Sequence, residues 1–212
     1  MILETRAVAP FYKNGYVVGC EKTREGVLID PGDEVEALLE TIARHQLKTR
    51  YILLTHAHLD HITGVKRAKE VLGVPVGLHQ ADNFLYEGVV QQGRAFGFPV
   101  EPQPPVDFFY EPGGTLTFGG YVVTIRHTPG HCPGGVCLTV ENADRSERSL
   151  FVGDTLFAGS IGRTDLPGGD TEVLLRSITE VLFAYPDDTP VYSGHGAPTT
   201  IGREKRTNPF LV

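Results

Sequence analysis

The chain has 212 residues, of which 41% are hydrophobic, and this length and composition suit one globular domain with a substantial core. Lysine and arginine number 19 against 26 aspartates and glutamates, so the net charge is -7, and no basic block is present that would attract nucleic acid. No stretch approaches the roughly 18 apolar residues of a membrane-spanning helix. We therefore expect a single domain over residues 1–212, with neither nucleic acid nor a membrane as its partner.

The cellular compartment is predicted from the N-terminus and the cysteines. The opening segment, MILETRAVAPFYKNG, lacks the basic end and apolar core of a secretion signal. The cysteines are three in number, which does not suit a paired disulfide framework but does suit a reducing compartment. We expect a cytoplasmic protein.

The first half of the chain predicts strands and helices in alternation. Short apolar runs bounded by turn residues indicate the strands, and apolar residues at helical spacing indicate the helices. The predicted strands are residues 16–20, 27–29, 51–54 and 74–78, and the predicted helices are residues 35–42 behind the cap Asp33, residues 62–72 ended by Gly73, and residues 82–89. Strand 51–54 ends where a polar loop begins, which is where α/β folds place their ligand sites.

The second half opens with a proline-rich loop at 98–112 and then predicts mostly strands. Gly119-Gly120 separates two β-type segments and indicates a hairpin. The predicted strands are residues 115–118, 121–125, 136–140, 150–152 and 190–192, with one helix at residues 171–183. The fold class predicted from both halves is α/β.

A dense group of metal-binding side chains follows strand 51–54, in the segment THAHLDHITG. Its potential ligands are His56, His58, Asp60 and His61. Side chains alternate faces in an extended segment, so positions 56, 58 and 60 are expected on one side, and a turn at 60 to 61 would bring His61 to the same cavity. One loop is therefore predicted to serve two neighbouring metal ions.

Three further loops carry matching groups, each beside glycine and after a predicted strand. They are His131 in TPGHCPGG, Asp154 in FVGDTLF and His195 in YSGHGAP. Imidazoles and carboxylates without thiolates suit zinc, iron or manganese, and five histidines with two aspartates exceed one tetrahedral shell. We expect two adjacent divalent ions. The alternative, polar residues scattered over unrelated loops, fits this dense spacing poorly.

The full set of seven resembles the H-x-H-x-D-H signature of the metallo-β-lactamase superfamily with its later His, Asp and His. This resemblance implies an αββα sandwich of the metallo-β-lactamase type with its metals on one edge. It also implies the division of the ligands: a first metal on His56, His58 and His131, a second on Asp60, His61 and His195, and Asp154 as the bridge.

Two other stretches, SIGRTDLPGG at 160–169 and TTIGREKRTNPF at 199–210, resemble the short glyoxalase II-like hydrolases. Those enzymes hydrolyse hydroxyacylglutathione thioesters with a hydroxide bound to a dinuclear metal site. For this chain the resemblance implies two divalent metal ions, with zinc as the expected metal and iron or manganese as alternatives. Asp60 would additionally orient the attacking water. Arg163 could pair with a carboxylate of a small thioester substrate, next to Asp165, through its planar fork. An internal ion pair between Arg163 and Asp165 is the equally open alternative.

Two rival functions remain at this stage. The runs HITG at 61–64 and GRTD at 162–165 also resemble persulfide dioxygenases, which would use one iron on His56, His131 and Asp154. The GHGAPTT segment at 194–200 looks more like the hydrolases. A non-catalytic metal-binding protein of the same fold would be expected to show damaged ligands, and none of the seven is missing.

Asp30, at the end of strand 27–29, is a candidate hydrogen-bond acceptor for a metal-binding imidazole, because such rings usually donate their other N–H to a carboxylate or carbonyl. The alternative is a turn aspartate that bonds its own backbone. The oligomeric state does not follow from the sequence.

Overall fold

The computed structural model describes all 212 residues, and the chain divides into two compact units. The first unit comprises Met1–Tyr110 and Thr117–Gly120, and the second comprises Glu111–Leu116 and Tyr121–Val212. The expectation of one domain over residues 1–212 stays a prediction. None of the helices is both long enough and apolar enough to cross a membrane.

The first sheet has six strands that follow one another across the sheet in chain order. They are β1 (Ile2–Arg6), β2 (Gly15–Gly19), β3 (Glu25–Ile29), β4 (Lys48–Leu53), β5 (Val76–Leu78) and β6 (Phe108–Phe109). The first three are antiparallel neighbours, and β3 to β6 are parallel neighbours. The sequence prediction missed the edge strands β1 and β6.

Five helices belong to the same unit. They are α1 (Val35–Arg44), α2 (Leu59–Ile62), α3 (Val65–Leu72), α4 (Asn83–Glu87) and α5 (Val89–Phe96). The apolar residues that predict α1 are all buried: Val35, Leu38, Leu39 and Ile42. The predicted cap is wrong, because the helix begins behind Glu34 with no side-chain cap, while Asp33 Oδ1 accepts a hydrogen bond of 2.7 Å from Thr63 Oγ1.

The segment rich in potential ligands becomes helical earlier than predicted. Helix α2 begins behind His58, and Gly64 separates it from α3, whereas the sequence indicated one helix from Ile62 and an extended chain through Asp60. The helix breaks here because the Gly64 N–H donates to the carbonyl of Pro31 at 3.0 Å instead of to a carbonyl of the preceding helical turn. Gly73, with φ of 64°, ends α3 as predicted.

The second sheet also has six strands, and a two-stranded ribbon accompanies it. The remaining elements are β7 (Thr115–Phe118), β8 (Tyr121–His127), β9 (Val136–Asn142), β10 (Arg148–Gly153), β11 (Leu156–Phe157), β12 (Ser160–Ile161), α6 (Thr171–Arg176), β13 (Pro190–Ser193), β14 (Thr199–Thr200) and α7 (Ile201–Thr207). The sheet order is β14-β13-β10-β9-β8-β7, and β11 pairs with β12. The sequence prediction missed the short strands β11, β12 and β14.

Helix α6 and the residues after it supply the apolar side of the second unit. The single helix predicted at 171–183 is present but changes character, from α6 to a π-helical turn at Ser177–Val181 and a 3-10 turn at Leu182–Ala184. Asp170 caps α6 by accepting from the Val173 N–H at 3.0 Å. The buried cluster there includes Leu150, Leu174, Ile178, Leu182, Val191 and Ile201.

Phe151 tests the core of the second unit. Its ring is 1% exposed and stacks on Tyr192 with centroids 5.3 Å apart. We expect Phe151→Ala to lower the free energy of unfolding by about 3–5 kcal/mol, because it removes a buried ring and leaves a cavity. Urea denaturation measures this loss. Phe210, 56% exposed, is the matched control, and Phe210→Ala should change the value by less than about 0.5 kcal/mol. Equal losses would contradict this placement of the core.

Candidate metal centre

Two adjacent parallel strands bring the first group of candidate residues together. In the pairing of β3 with β4, Ile29 lies opposite Leu53, and the next residue, Asp30, donates its N–H to the Leu53 carbonyl at 3.1 Å. The loops that follow β3 and β4 therefore leave the sheet side by side at its carboxyl edge. This places Asp30 beside Thr55, the residue that precedes the histidine cluster.

Three buried imidazoles of this loop lie against one another. His56, His58 and His61 are 1%, 6% and 0% exposed. The ring of His56 lies 4.0 Å from that of His61 and 4.9 Å from that of His58, between centroids. Two positive charges at about 4 Å repel by about 4 kcal/mol at an effective dielectric constant of about 20. Bound metal cations therefore suit this cluster better than a proton on every ring.

The Asp30 carboxylate is the centre of the hydrogen bonds around these rings. Its Oδ1 accepts from the Thr55 N–H at 2.7 Å, and its Oδ2 accepts from Thr55 Oγ1 at 2.6 Å. His61 Nδ1 lies 2.9 Å from the same Oδ2. These carboxylate bonds go to residues of the neighbouring loop, which is the arrangement expected of an acceptor for ligand imidazoles.

These bonds determine which ring nitrogen carries the proton. A carboxylate only accepts, so His61 donates from Nδ1. The Thr55 hydroxyl gives its proton to Asp30, so its oxygen accepts from His56 Nδ1 at 3.1 Å. Both neutral rings therefore carry no proton on Nε2, the form of imidazole that binds a metal. The donor atoms of Asp30, His56 and His61 lie within 4.8 Å of one another.

Asp60 occupies the first turn of α2 and not an extended segment, so the predicted alternation of side chains ends at His58. Its carboxylate nevertheless stays near the cluster, with Oδ2 at 3.8 Å from His61 Nε2. The side chain is 14% exposed, more than any of the three imidazoles. Helical geometry thus turns His61 inward and keeps Asp60 at the rim.

The second unit repeats this design with another pair of parallel strands. Gly153 at the end of β10 lies opposite Ser193 at the end of β13, and the Gly194 N–H donates to the Gly153 carbonyl at 2.8 Å. The following residues, Asp154 and His195, consequently meet, with 3.5 Å between Asp154 Oδ2 and His195 Nε2.

His131 joins the same carboxylate from the loop after β8. Its Nε2 lies 3.7 Å from Asp154 Oδ2, and its Nδ1 donates to the carbonyl of Arg163 at 2.7 Å. A carbonyl only accepts, so neutral His131 too carries its proton on Nδ1 and none on Nε2. Gly162 allows this approach, because a Cβ there would lie 1.9 Å from the Asp154 carbonyl oxygen and 3.2 Å from His131 Nδ1.

The side chains of Arg163 and Asp165 form an exposed ion pair with each other. Arg163 Nε and its terminal nitrogen each lie 2.7 Å from a different carboxylate oxygen of Asp165. The internal pair that the sequence left open is therefore present, and contact of either residue with a substrate stays a prediction. The Arg163 guanidinium lowers the pKa of Asp165 to about 2.

Sequence reasoning named Asp30, which accepts from His61, but missed the two other acceptors, Thr55 for His56 and the carbonyl of Arg163 for His131. Thr55 precedes the histidine motif directly, and its hydroxyl type was the available signal. The carbonyl of Arg163 had no signal, because every residue has a carbonyl and only the fold selects this one. The chain places His56, His58, Asp60 and His61 together in one unit, and His131, Asp154 and His195 together in the other.

Comparison with protein families and curated proteins gives full-length matches. The model of the metallo-beta-lactamase superfamily matches residues 8–195. Hydroxyacylglutathione hydrolase GloC of Haemophilus influenzae is 38% identical over 213 residues, covering 100% of this chain and 98% of the relative. The probable metallo-hydrolase YqgX of Bacillus subtilis is 39% identical, covering 96% of this chain and 94% of the relative.

Solved structures give the same picture. The B3 metallo-beta-lactamase BLEG-1 is 38% identical with a TM-score of 0.90 and covers 100% of both chains. TTHA1623 in a di-iron-bound form is 42% identical with a TM-score of 0.86, and the match covers 98% of this chain and 100% of TTHA1623. ETHE1 from Myxococcus xanthus is 29% identical with a TM-score of 0.80, and the match covers 99% of this chain and 84% of ETHE1. These matches confirm the predicted α/β class, an αββα sandwich of this type.

The Arg163–Asp165 pair gives a test of the local electrostatics. We expect Arg163→Gln to return the pKa of Asp165 from about 2 towards the ordinary aspartate value of about 3.9, because the neighbouring guanidinium is removed. Carboxyl-carbon NMR during a pH titration measures it. Asp144 is the control, because hydrogen bonds from Ser146 lower its pKa and the substitution leaves those bonds intact. An unchanged Asp165 would show that the pair does not form in solution.

Proposed function

The chain belongs to the metallo-beta-lactamase superfamily, and we propose that within it the protein hydrolyses thioesters of the hydroxyacylglutathione type. That it is a metallo-hydrolase of this superfamily follows from the family match and the full-length relatives. The observation that carries the metal-dependent part of the proposal is the state of the buried imidazoles, where hydrogen bonds at Nδ1 keep the ring proton of His56, His61 and His131 off Nε2.

Seven residues would hold two divalent ions in this proposal. The donor chemistry fits, because imidazole and carboxylate suit zinc, iron or manganese. The first ion would be held by His56, His58 and His131, the second by Asp60, His61 and His195, and Asp154 would bridge them. Zinc is our first choice, and the di-iron-bound form of TTHA1623 supports iron as the alternative.

The chain's own residues would then position the reaction. Bound divalent ions supply Lewis acidity and lower the pKa of coordinated water towards neutrality. Asp60, at the rim of its cluster, would orient the attacking water. The leaving thiol has an ordinary pKa of about 8.5, so it departs without a strong general acid, and no serine or cysteine nucleophile is needed.

The thioester part of the proposal is supported by the similarity to GloC over the whole chain. Arg163 is the cation we propose for a carboxylate of the substrate. Since it already binds Asp165 through both nitrogens, a substrate carboxylate would exchange with Asp165 rather than fill an empty position. Recognition through Arg163 should therefore contribute modestly to affinity.

An iron-dependent persulfide dioxygenase is the second candidate. The similarity to ETHE1 and the di-iron-bound neighbour favour keeping it. That reaction would need one iron on His56, His131 and Asp154, and would leave His61 and His195 without a role in metal binding. The metal content of the protein consequently discriminates between the two candidates.

We expect close to two divalent ions per chain by elemental analysis of protein purified without added metal or chelator. His61→Ala and His195→Ala should each lose about one ion, because each would remove a ligand of the second ion. His127→Ala is the matched control, because this exposed ring bonds the Pro133 carbonyl, and it should retain both ions. A single iron that survives the first two substitutions would make the dioxygenase the better assignment.

Activity measurements would test the substrate class. We expect S-D-lactoylglutathione to be hydrolysed with kcat/KM above roughly 10⁴ M⁻¹s⁻¹, in the usual range for a specific substrate. His131→Ala should lower this value at least about a hundredfold, and His127→Ala should leave it unchanged. A β-lactam and glutathione persulfide with oxygen are the comparison substrates. A higher kcat/KM for either one would contradict the thioesterase proposal.

A further inference from the structure

A buried ion pair lies next to the loop that carries Asp30, outside the seven candidate ligands. Lys13, before β2, and Glu34, before α1, have side chains that are 1% and 2% exposed. The Lys13 ammonium donates to Glu34 Oε1 and also to the main-chain carbonyl of Asp30. The same Glu34 oxygen accepts from the Gly32 N–H at 3.0 Å. The pair thus forms hydrogen bonds with both ends of the Asp30-Pro31-Gly32 turn.

Two glycines make room for this pair. A Cβ at Gly15 would lie 2.2 Å from Glu34 Oε1, and a Cβ at Gly32 would lie 2.9 Å from Lys13 Cε and 2.0 Å from the Asp60 carbonyl oxygen. The side chains therefore occupy space that any other residue at these positions would fill. Gly32 also brings the turn into direct contact with the loop of potential ligands.

The turn needs support because Asp30 has an unusual backbone. Its φ is 49°, in the left-handed region that non-glycine residues rarely adopt. In this conformation the carboxylate bonds Thr55 and His61, and these bonds keep the ring protons of His56 and His61 on Nδ1. The bond from Lys13 to the Asp30 carbonyl holds the peptide group directly after this backbone.

We propose that the Lys13–Glu34 pair positions the metal ligands by fixing Asp30, and that it is not merely part of the core. This inference rests on the proposed metal site. A buried ion pair is by itself weak evidence for stability, because desolvation of two charges offsets much of their attraction. If the Lys13–Glu34 pair had only a structural role, its removal would affect folding alone. If the pair positions Asp30, its removal should make the imidazoles of His61 and His56 less ordered while the chain stays folded.

The test uses the double variant Lys13→Met/Glu34→Gln. Either single substitution would leave the other charge buried without compensation and destabilise the fold, whereas the double variant removes both charges and keeps similar volumes. Glu204→Gln is the matched control. This carboxylate of the second unit is 0% exposed and accepts from the Gly159 N–H and Asn208, away from Asp30.

Two readouts are needed, both in the full chain. Cobalt(II) affinity, measured by competition with a chelator, should fall about 10–100-fold in the double variant, the usual loss when the support of a ligand is removed, and the visible spectrum of bound cobalt should change. Nitrogen NMR of metal-free protein should find His61 with its proton on Nδ1 in the wild type and a mixture of ring forms in the double variant. Glu204→Gln should leave both readouts unchanged.

A folded double variant with wild-type cobalt affinity and an unchanged His61 ring form would overturn the inference. An equal loss in Glu204→Gln would overturn it as well, because the effect would then be a general response to disturbing a buried carboxylate. If the wild type binds no metal, the proposed function fails, but the ring form of His61 in metal-free protein still decides the positioning role of Lys13 and Glu34.

Discussion

The parallel pairing of β3 with β4 is the constraint on which the first group of candidate ligands depends. It ends both strands at the same edge and so places a buried carboxylate, Asp30, against the loop that follows β4. A buried carboxylate needs donors, and here every donor belongs to Thr55 or to a histidine of the cluster. The same hydrogen bonds therefore satisfy the Asp30 carboxylate and orient the imidazoles. The positions of these side chains follow from the register of β3 against β4.

The second unit reaches a comparable result with a different acceptor. His131 is held by the main-chain carbonyl of Arg163, a neutral group, whereas His61 is held by a carboxylate. A carboxylate makes its imidazole partner a stronger electron donor than a carbonyl does. His61 and His131 thus differ in the charge of the group that holds them although their residue types are alike.

The sequence was sufficient for the fold class, because it depends on local pattern. Apolar runs indicate the central strands, and the candidate ligands, whose role in metal binding stays a prediction, cluster where those strands end. The edges were missed, since β6 has two residues and β1 is only partly buried, so neither has a clear pattern. The break between α2 and α3 was missed for another reason. It depends on a hydrogen bond between Gly64 and Pro31, which are far apart in sequence.

The hydrogen bonds at Nδ1 also limit how this centre could change during evolution or by engineering. Nε2 is the ring atom farther from the backbone, and the framework around Asp30 and Arg163 holds each ring so that this far atom is presented. An aspartate or cysteine at position 56, 61 or 131 would offer a donor atom closer to its own backbone. Conversion to a thiolate-rich or carboxylate-rich centre would thus require the loops themselves to move inward, so single exchanges are poor routes to a new metal preference.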